Sequence, residues 1–335
     1  LKSIRQFQSQ VHPIAEIDLE RYAAGEIHRC ALAIVHDGAG DAVRIPVLIA
    51  RGTNPGPVLG ITAAVHGNEV NGIPVIQKLF ADLDPDELSG TVIGCPIVNM
   101  PAYLANDREM DGFDINRLMP GRPDGNAGEV YAHRFVERVL KHFDYLLDLH
   151  TASFGRANSL YVRADLADAT TRRMARLQQP EIIVHNEARD GTLRGAADDL
   201  EIPAITVELG NPQRFQYDMI ADSLVGVKNV MSHFEMIEHE ITEIGAEPIE
   251  CRRSYWMYAE HGGLLEVEAK LLERVKKGQR VARVKNAFGD ILAQYDAPED
   301  CIVVGRATNP VCQTGARVVH LGVTAKPKPK TIKRT

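Results

Sequence analysis

Val58-Leu59-Gly60-Ile61-Thr62-Ala63-Ala64-Val65 is a continuous apolar run, and His66-Gly67-Asn68-Glu69 follows it without a break. A run of this kind reads as a strand buried on both faces, as in parallel sheets. His66 therefore stands where a strand's carboxyl end meets the next helix. A second run, Phe143-Asp144-Tyr145-Leu146-Leu147-Asp148-Leu149, ends in the same way on His150, ahead of the turn-like Thr151-Ala152-Ser153-Phe154-Gly155. A third, Ile202-Pro203-Ala204-Ile205-Thr206-Val207, ends on Glu208-Leu209-Gly210. Open α/β sheets collect their ligands in the crevice at strand carboxyl ends, so these polar termini are expected to converge there.

His66 and Glu69 are spaced to project from one face of a first helical turn, or of the turn entering it. Two close ligands and a distant third, His150, are the usual layout of a catalytic zinc site, which keeps its fourth position open. HxxE alone is a weak pattern, and a lone His at a strand end is more often hydrogen-bonded than metal-bound. The weight comes from the termini taken together. Glu208, at the same sheet edge, would take a proton from an attacking water and return it to a leaving amine, although an ordinary surface Glu is the plainer reading of that residue alone. The donor types favour Zn²⁺, while Co²⁺, Mn²⁺ and Fe²⁺ also accept such ligands.

Arg108-Glu109-Met110-Asp111-Gly112-Phe113-Asp114-Ile115-Asn116-Arg117-Leu118-Met119-Pro120-Gly121 is too charged for a buried strand and too Gly-broken for a good helix. A loop presenting Asn116 and Arg117 side by side can clamp a carboxylate, because guanidinium offers a planar two-pronged donor set. A solvated charged turn fits this segment equally well.

His66-Gly67-Asn68-Glu69, Asp114-Ile115-Asn116-Arg117, Asp148-Leu149-His150-Thr151 and Val207-Glu208-Leu209-Gly210 together resemble the succinylglutamate desuccinylase and aspartoacylase family, relatives of the zinc carboxypeptidases. The motifs follow the family's order over roughly residues 58–212. The resemblance implies a zinc-carboxypeptidase-like mixed α/β sheet with helices on both faces. It also implies one zinc per chain held by His66, Glu69 and His150, with Glu208 as the catalytic base. Asn116 and Arg117 match the pair that binds the substrate's carboxylate. Arg108 is matched to the arginine that polarises the scissile carbonyl, with a spacing to Asn116-Arg117 that differs by one residue from aspartoacylase. Arg194, in Gly191-Thr192-Leu193-Arg194-Gly195, is a candidate second substrate arginine, and a loop surface charge is the alternative.

The implied activity is hydrolysis of a small N-acyl amino acid of the N-acetyl-diaminobutyrate, N-succinylglutamate or N-acetylaspartate type. The surroundings of the motifs, including Leu160-Tyr161-Val162-Arg163-Ala164-Asp165, are more similar to the bacterial branch with the N-acetyl-diaminobutyrate deacetylases of ectoine breakdown than to animal aspartoacylases. Two alternatives share the ligand set: a zinc carboxypeptidase acting on peptides, and a non-catalytic binding protein on the same scaffold. The second does not need a base such as Glu208 beside its metal.

Composition suits a metabolic enzyme. The chain has 335 residues, 44% hydrophobic and 25% charged, enough for one large core plus a smaller module. A net charge of -7 argues against a general nucleic-acid partner. Cys30, Cys95, Cys251, Cys301 and Cys312 are scattered with no close pairing, as expected of reduced thiols in a cytoplasmic protein. No stretch reaches the apolar length of a membrane span, and Leu1-Lys2-Ser3-Ile4-Arg5-Gln6 lacks a signal peptide's apolar core.

Residues 1–245 are expected to form the catalytic domain, with helices over Ile73–Leu83, Val130–His142, Ala167–Gln178 and Ala221–Glu238. Short β-type runs punctuated by Gly then predict a smaller all-β, barrel-sandwich-like domain over 246–325, and 326–335 reads as a disordered, Pro- and Lys-rich tail. The β domain is expected to narrow the active-site mouth or to build a contact between copies in a homo-oligomer. Its turns resemble those of biotinyl and lipoyl domains. Lys285 lacks the Met-Lys-Met context of a modified lysine and reads as a surface residue. Trp256 and Tyr258, placed just before these strands, are expected to pack in the core, with a role in an interface or the pocket as the alternative.

Overall fold

The computed structural model describes residues 11–188, 191–243 and 245–324; the opening hexapeptide and the 326–335 tail lie outside the described residues. The apolar runs quoted above become neighbouring strands. In chain order the strands are β1 (His12–Ile14), β2 (Glu26–His36), β3 (Ala42–Arg51), β4 (Asn54–Ala63), β5 (Ser89–Cys95), β6 (Tyr145–His150), β7 (Arg156–Asn158), β8 (Leu160–Ala164), β9 (Ile182–His185) and β10 (Ala204–Leu209). The C-terminal part adds β11 (Ile249–Tyr258), β12 (Gly263–Val267), β13 (Arg274–Val275), β14 (Arg280–Lys285), β15 (Ile291–Asp296), β16 (Cys301–Ala307), β17 (Val311–Cys312) and β18 (Arg317–Thr324). The helices are α1 (Gly72–Asp82), α2 (Met100–Ala105), α3 (Ala127–Arg138), α4 (Ala169–Leu177), α5 (Leu193–Asp199) and α6 (Tyr217–His233).

One mixed sheet runs β1-β2-β3-β5-β4-β6-β10-β8-β9-β11-β18-β16-β13, with β7 attached to β16, and a smaller antiparallel sheet runs β15-β14-β12-β17. β4, β6 and β10 are parallel neighbours, as their unbroken apolar sequences require when helices cover both faces. α1, α4 and α6 bury Ile76, Leu79, Met174, Val227 and Val230 on one face. α3 and α5 bury Tyr131, Phe135, Leu193 and Ala197 on the other. Each of the larger aliphatic side chains contributes roughly 1.5–3 kcal/mol by leaving water, so α1, with no side-chain cap bond at its N-terminus, is held chiefly by its apolar stripe. The last helix runs over Tyr217–His233, earlier at both ends than the expected Ala221–Glu238.

Beyond α6 the strands divide: β12, β14, β15 and β17 form the separate smaller sheet, whereas β11, β13, β16 and β18 join the large one. β11 pairs in parallel with β9 and antiparallel with β18, so the sheet continues into the C-terminal part. β7 lies against β16, which ties the loop after His150 to the same part. Trp256 and Tyr258 sit within β11, not ahead of the strands, and neither is a core residue: Tyr258 is 53% exposed and Trp256 lines the cleft described below. Lys285 forms an ion pair with Glu266.

Candidate metal centre and substrate cleft

Register brings the scattered motifs together. Thr62 of β4 faces Asp148 of β6, and His150 of β6 faces Glu208 of β10. Because side chains alternate along a strand, Asp148 and His150 share one face of β6. Beyond β4 the chain leaves the sheet through Ala64, which takes a left-handed φ of 49°, and enters a turn closed by a bond from the Glu69 N–H to the His66 carbonyl. Asn99 holds that turn by donating from Nδ2 to the Val65 carbonyl. Gly67 is required there: a Cβ would lie 2.1 Å from backbone atoms of Ala102 and Tyr103. The turn therefore seats against α2 and aims His66 and Glu69 at His150.

His66, Glu69 and His150 are all buried, and their candidate ligand atoms lie within 4.8 Å of one another. His66 Nδ1 is 3.0 Å from Glu69 Oε1, and His150 Nδ1 is 3.0 Å from Glu69 Oε2. The far nitrogens each meet a carboxylate: His66 Nε2 lies 3.1 Å from Asp114 Oδ1, and His150 Nε2 lies 2.7 Å from Asp148 Oδ2. The Thr62 hydroxyl donates to Asp148 Oδ1 at 2.7 Å. A carboxylate behind each ring fixes the tautomer whose Nδ1 lone pair points to the centre, as in carboxylate–histidine–zinc triads. His66 Nδ1 is buried and lacks a hydrogen-bond partner, its contact with Glu69 being out of line for one. Two imidazole lone pairs and a carboxylate converging on one point fit the His₂Glu donor set of catalytic zinc.

Burial works against charge at these groups, but their neighbours outweigh it. Asp148 and Glu69 hold the His150 ring well above its ordinary pKa, so that a metal taking up the Nδ1 position displaces a proton there, and His66 and His150 hold Glu69 well below the carboxylate range. Asp114 is likewise held low, against its burial, by His66 and Arg108. Glu69 is thus a carboxylate, the form a metal needs.

The other expected residues lie in the same cleft, which encloses about 260 Å³. Arg108 donates to Asp114 Oδ2 from Nε at 3.2 Å and from Nη2 at 2.9 Å, to Glu69 Oε1 at 3.1 Å, and to the Ser153 hydroxyl. Asn116 lies in a short 3-10 turn, Ile115–Arg117, and its Oδ1 accepts from the Leu193 N–H at 2.8 Å, which leaves the NH₂ for a ligand. Arg117 also lines the cleft. Arg194 is buried, not a loop surface charge; it donates from the first turn of α5 to the Asn186 backbone carbonyl at 2.8 Å and to the Asn186 side chain. Glu208 is 5% exposed, and both of its oxygens are engaged: Arg163 Nη2 donates to Oε1 at 2.8 Å and Asn158 Nδ2 to Oε2 at 3.0 Å. Each carboxylate oxygen has a second acceptor site, so one remains for a proton.

Sequence reasoning did not single out Asp148, Asp114, Ser153, Asn158 or Arg163 as site residues. Asp148 was within reach, since an acid two residues before a strand-end His must share its face. Arg163 and Asn158 carry no such local signal, because they meet Glu208 only through the pairing of β8 with β10 and the placement of β7. The C-terminal part supplies the remaining wall, with Ser254, Tyr255, Trp256, Arg317 and His320.

Known proteins are similar to this chain in sequence and in fold. The model of the succinylglutamate desuccinylase/aspartoacylase catalytic domain matches residues 55–234. The N-alpha-acetyl-L-2,4-diaminobutyric acid deacetylase of Halomonas elongata is 31% identical over 287 residues, covering 81% of this chain and 83% of that protein. Among solved structures, a succinylglutamate desuccinylase/aspartoacylase from Rhodobacter sphaeroides superposes with a TM-score of 0.83 at 25% identity, over 93% of this chain and 99% of the other. The product-bound ectoine utilization protein EutE (DoeB) from Ruegeria pomeroyi has the same fold, with a TM-score of 0.83 at 24% identity, over 91% of this chain and 98% of that one. With its buried His-Glu-His cluster and its matching catalytic-domain sequence, the chain belongs to the succinylglutamate desuccinylase/aspartoacylase family.

Proposed function

We propose that this protein is a zinc-dependent amidohydrolase that releases the acyl group from a small N-acyl amino acid. The observation that carries the reading is the convergence of His66 Nδ1, His150 Nδ1 and Glu69 beside a buried, clamped Glu208 in a cleft lined with arginines. The relatives' names support deacylation over peptide trimming, one being a diaminobutyric acid deacetylase and another, from Pseudomonas paraeruginosa, a succinylglutamate desuccinylase.

In this reading His66, Glu69 and His150 hold the metal. Bound there, a zinc ion supplies Lewis-acid polarisation of the amide carbonyl and lowers the pKa of the attacking water. Asn116 and Arg117 grip the substrate's α-carboxylate through the free amide and the guanidinium, and Arg194 is a second substrate contact. Arg108, anchored by Asp114, offers its one remaining N–H, on Nη2, to the oxygen on which negative charge develops. Glu208 accepts the proton of the attacking water at its unoccupied acceptor site, then delivers it to the departing amine nitrogen. Arg163 and Asn158 keep that carboxylate from rotating between the two transfers.

We place the catalytic unit in residues 1–245 and assign 246–325 to the wall that restricts the cleft to small substrates. Among the described residues no helix is long and apolar enough to cross a membrane. The five free cysteines are in keeping with a cytoplasmic setting.

The test is amine release from acetyl, succinyl and formyl derivatives of aspartate, glutamate and diaminobutyrate, run with zinc, with chelator, and with Glu208→Gln. Activity is expected to vanish with chelator and return with zinc. It should fall about 10²–10⁴-fold in Glu208→Gln while zinc stoichiometry is kept. Hydrolysis surviving in that variant, or cleavage of peptides alone, would overturn the proposal.

A further inference from the structure

The two groups that hold Glu208 are themselves held in different ways. Arg163 stands on β8, two residues after Tyr161, which faces Glu208 across the β8–β10 pair. That pairing runs only as far as Leu160 and Leu209, so Asn158 lies past its end. The C-terminal part holds Asn158 from the other side. Gly305 of β16 pairs with Asn158 itself, Arg306 with Ala157, and Ala307 with Arg156.

A β-bulge strengthens this grip. β16 pairs with β18 through Val303 and Leu321, then through Gly305 and His320, so Val304 is the extra residue. The Val304 carbonyl accepts two bonds from Ser159, one from its N–H at 3.2 Å and one from its hydroxyl at 3.1 Å. Bulges commonly re-aim a group next to an active site. Here the bulge fixes the backbone at Asn158 and just after it, and the Asn158 side chain donates to Glu208 Oε2 at 3.0 Å.

Gly305 is the point of closest approach. A Cβ there would lie 2.5 Å from Asn158 Oδ1 and 3.3 Å from the Ala157 carbonyl oxygen. β16 is held from its opposite flank as well, where Gly305 faces His320. That ring is 5% exposed and stacks on Trp256 at 5.0 Å with 10° between the planes. Arg156 and Arg317 approach the same indole. Burial, together with Arg163, Arg317 and Arg156, keeps His320 uncharged. A methyl group added at Gly305 is therefore relieved by the softest element in contact, the Asn158 amide, whose side-chain torsions turn Nδ2 away from Glu208.

We propose that Gly305 is a positioning residue for the reaction: by lacking a side chain it lets the Asn158 amide reach Glu208, which makes the β16 bulge part of the clamp on the base and not only a wall of the cleft. The proposal rests on the deacylase reading above, in which Glu208 moves the proton. With Oε2 released, the carboxylate rotates away from the line of proton transfer. The cost falls on kcat, because Asn116, Arg117 and Arg194 stay where they are.

The test compares zinc-loaded wild type, Asn158→Ala, Gly305→Ala and the double variant on whichever substrate of the panel above is cleaved fastest. Each single variant is expected to lose about 10–100-fold in kcat with KM within about twofold of wild type. The double variant should lose no more than Asn158→Ala alone, since the added methyl then has no amide to displace. Losses that multiply, a KM that rises as kcat falls, or a Gly305→Ala enzyme as active as wild type overturns the proposal. Ser159→Ala, which removes one bond to the Val304 carbonyl and adds no bulk, serves if Gly305→Ala does not fold. A loss of kcat of about threefold or more that disappears in the Asn158→Ala background supports the proposal, and an unchanged kcat overturns it. A crystal structure of Gly305→Ala reads the same point without turnover: Asn158 Nδ2 is expected beyond hydrogen-bonding distance of Glu208, and an intact bond overturns the proposal. If wild type cleaves no N-acyl amino acid while the amide is displaced in that crystal structure, the deacylase reading fails and the placement of Asn158 by Gly305 stands.

Discussion

Replacing Asp148 by Asn should weaken zinc binding by about ten- to a hundredfold, or roughly 1.4–2.8 kcal/mol. The magnitude follows from what the carboxylate does. Asp148 is 1% exposed, accepts from His150 Nε2 at 2.7 Å, and receives the Thr62 hydroxyl at 2.7 Å. Asparagine keeps the shape and can still turn its carbonyl to His150, while the Thr62 hydroxyl rotates to serve the amide. Packing and bond count are therefore preserved, and the loss is the negative charge that raises the ring's basicity and locks its tautomer. The assay is a competitive titration of the metal-free variant against a chromophoric chelator, with near-UV circular dichroism and thermal unfolding as controls on the fold. Zinc affinity within about threefold of wild type, with the fold intact, would refute the role assigned to Asp148. Thr62→Val, which removes the support of the carboxylate but not its charge, should show a smaller loss of the same kind.

Other perturbations test neighbouring parts of the design. Gly67→Ala forces a Cβ to 2.1 Å from backbone atoms of α2, which cannot swing aside, so a loss of about 1–3 kcal/mol or more by denaturant melting is expected together with weaker zinc binding. Arg163→Met should lower kcat about 10–100-fold with little change in KM, because it frees the Glu208 carboxylate to rotate and leaves the carboxylate-binding residues in place. His320 has its folded pKa depressed well below 6.5, so on acidification through that value the unfolded chain takes up the proton first and stability falls, by up to about 1.4 kcal/mol per pH unit. Urea melts between pH 7 and pH 5 should show a shallower slope in His320→Gln, and equal slopes would remove His320 as the cause.

Much of the catalytic half was legible in local sequence. The runs ending at Val65, Leu149 and Val207 are apolar without alternation, which leaves a parallel, doubly covered strand as their main solution, and polar residues at such termini must emerge at one sheet edge. Arg194 shows where this legibility stops. From sequence it could equally have been a surface charge; the packing of α5 and the bonds to Asn186 bury it in the cleft. Trp256 is the converse case, an aromatic expected in the core that the pairing of β11 with β18 leaves on the wall of the cleft instead.

By itself, then, the sequence determined where the candidate residues emerge: His66 and Glu69 just past the end of β4, and His150 and Glu208 at the ends of β6 and β10, occupy positions set by local periodicity and spacing. Tertiary structure alone decided what surrounds those donors. Asp114 behind His66, Arg163 and Asn158 on Glu208, and the Arg156–Trp256–Arg317–His320 wall are contacts between residues far apart in the chain. The physical reason is range. Apolar periodicity is a property of neighbouring residues, whereas the partner of a buried charge is chosen by strand order and register, which emerge only when the strands from β4 to β18 assemble into one sheet.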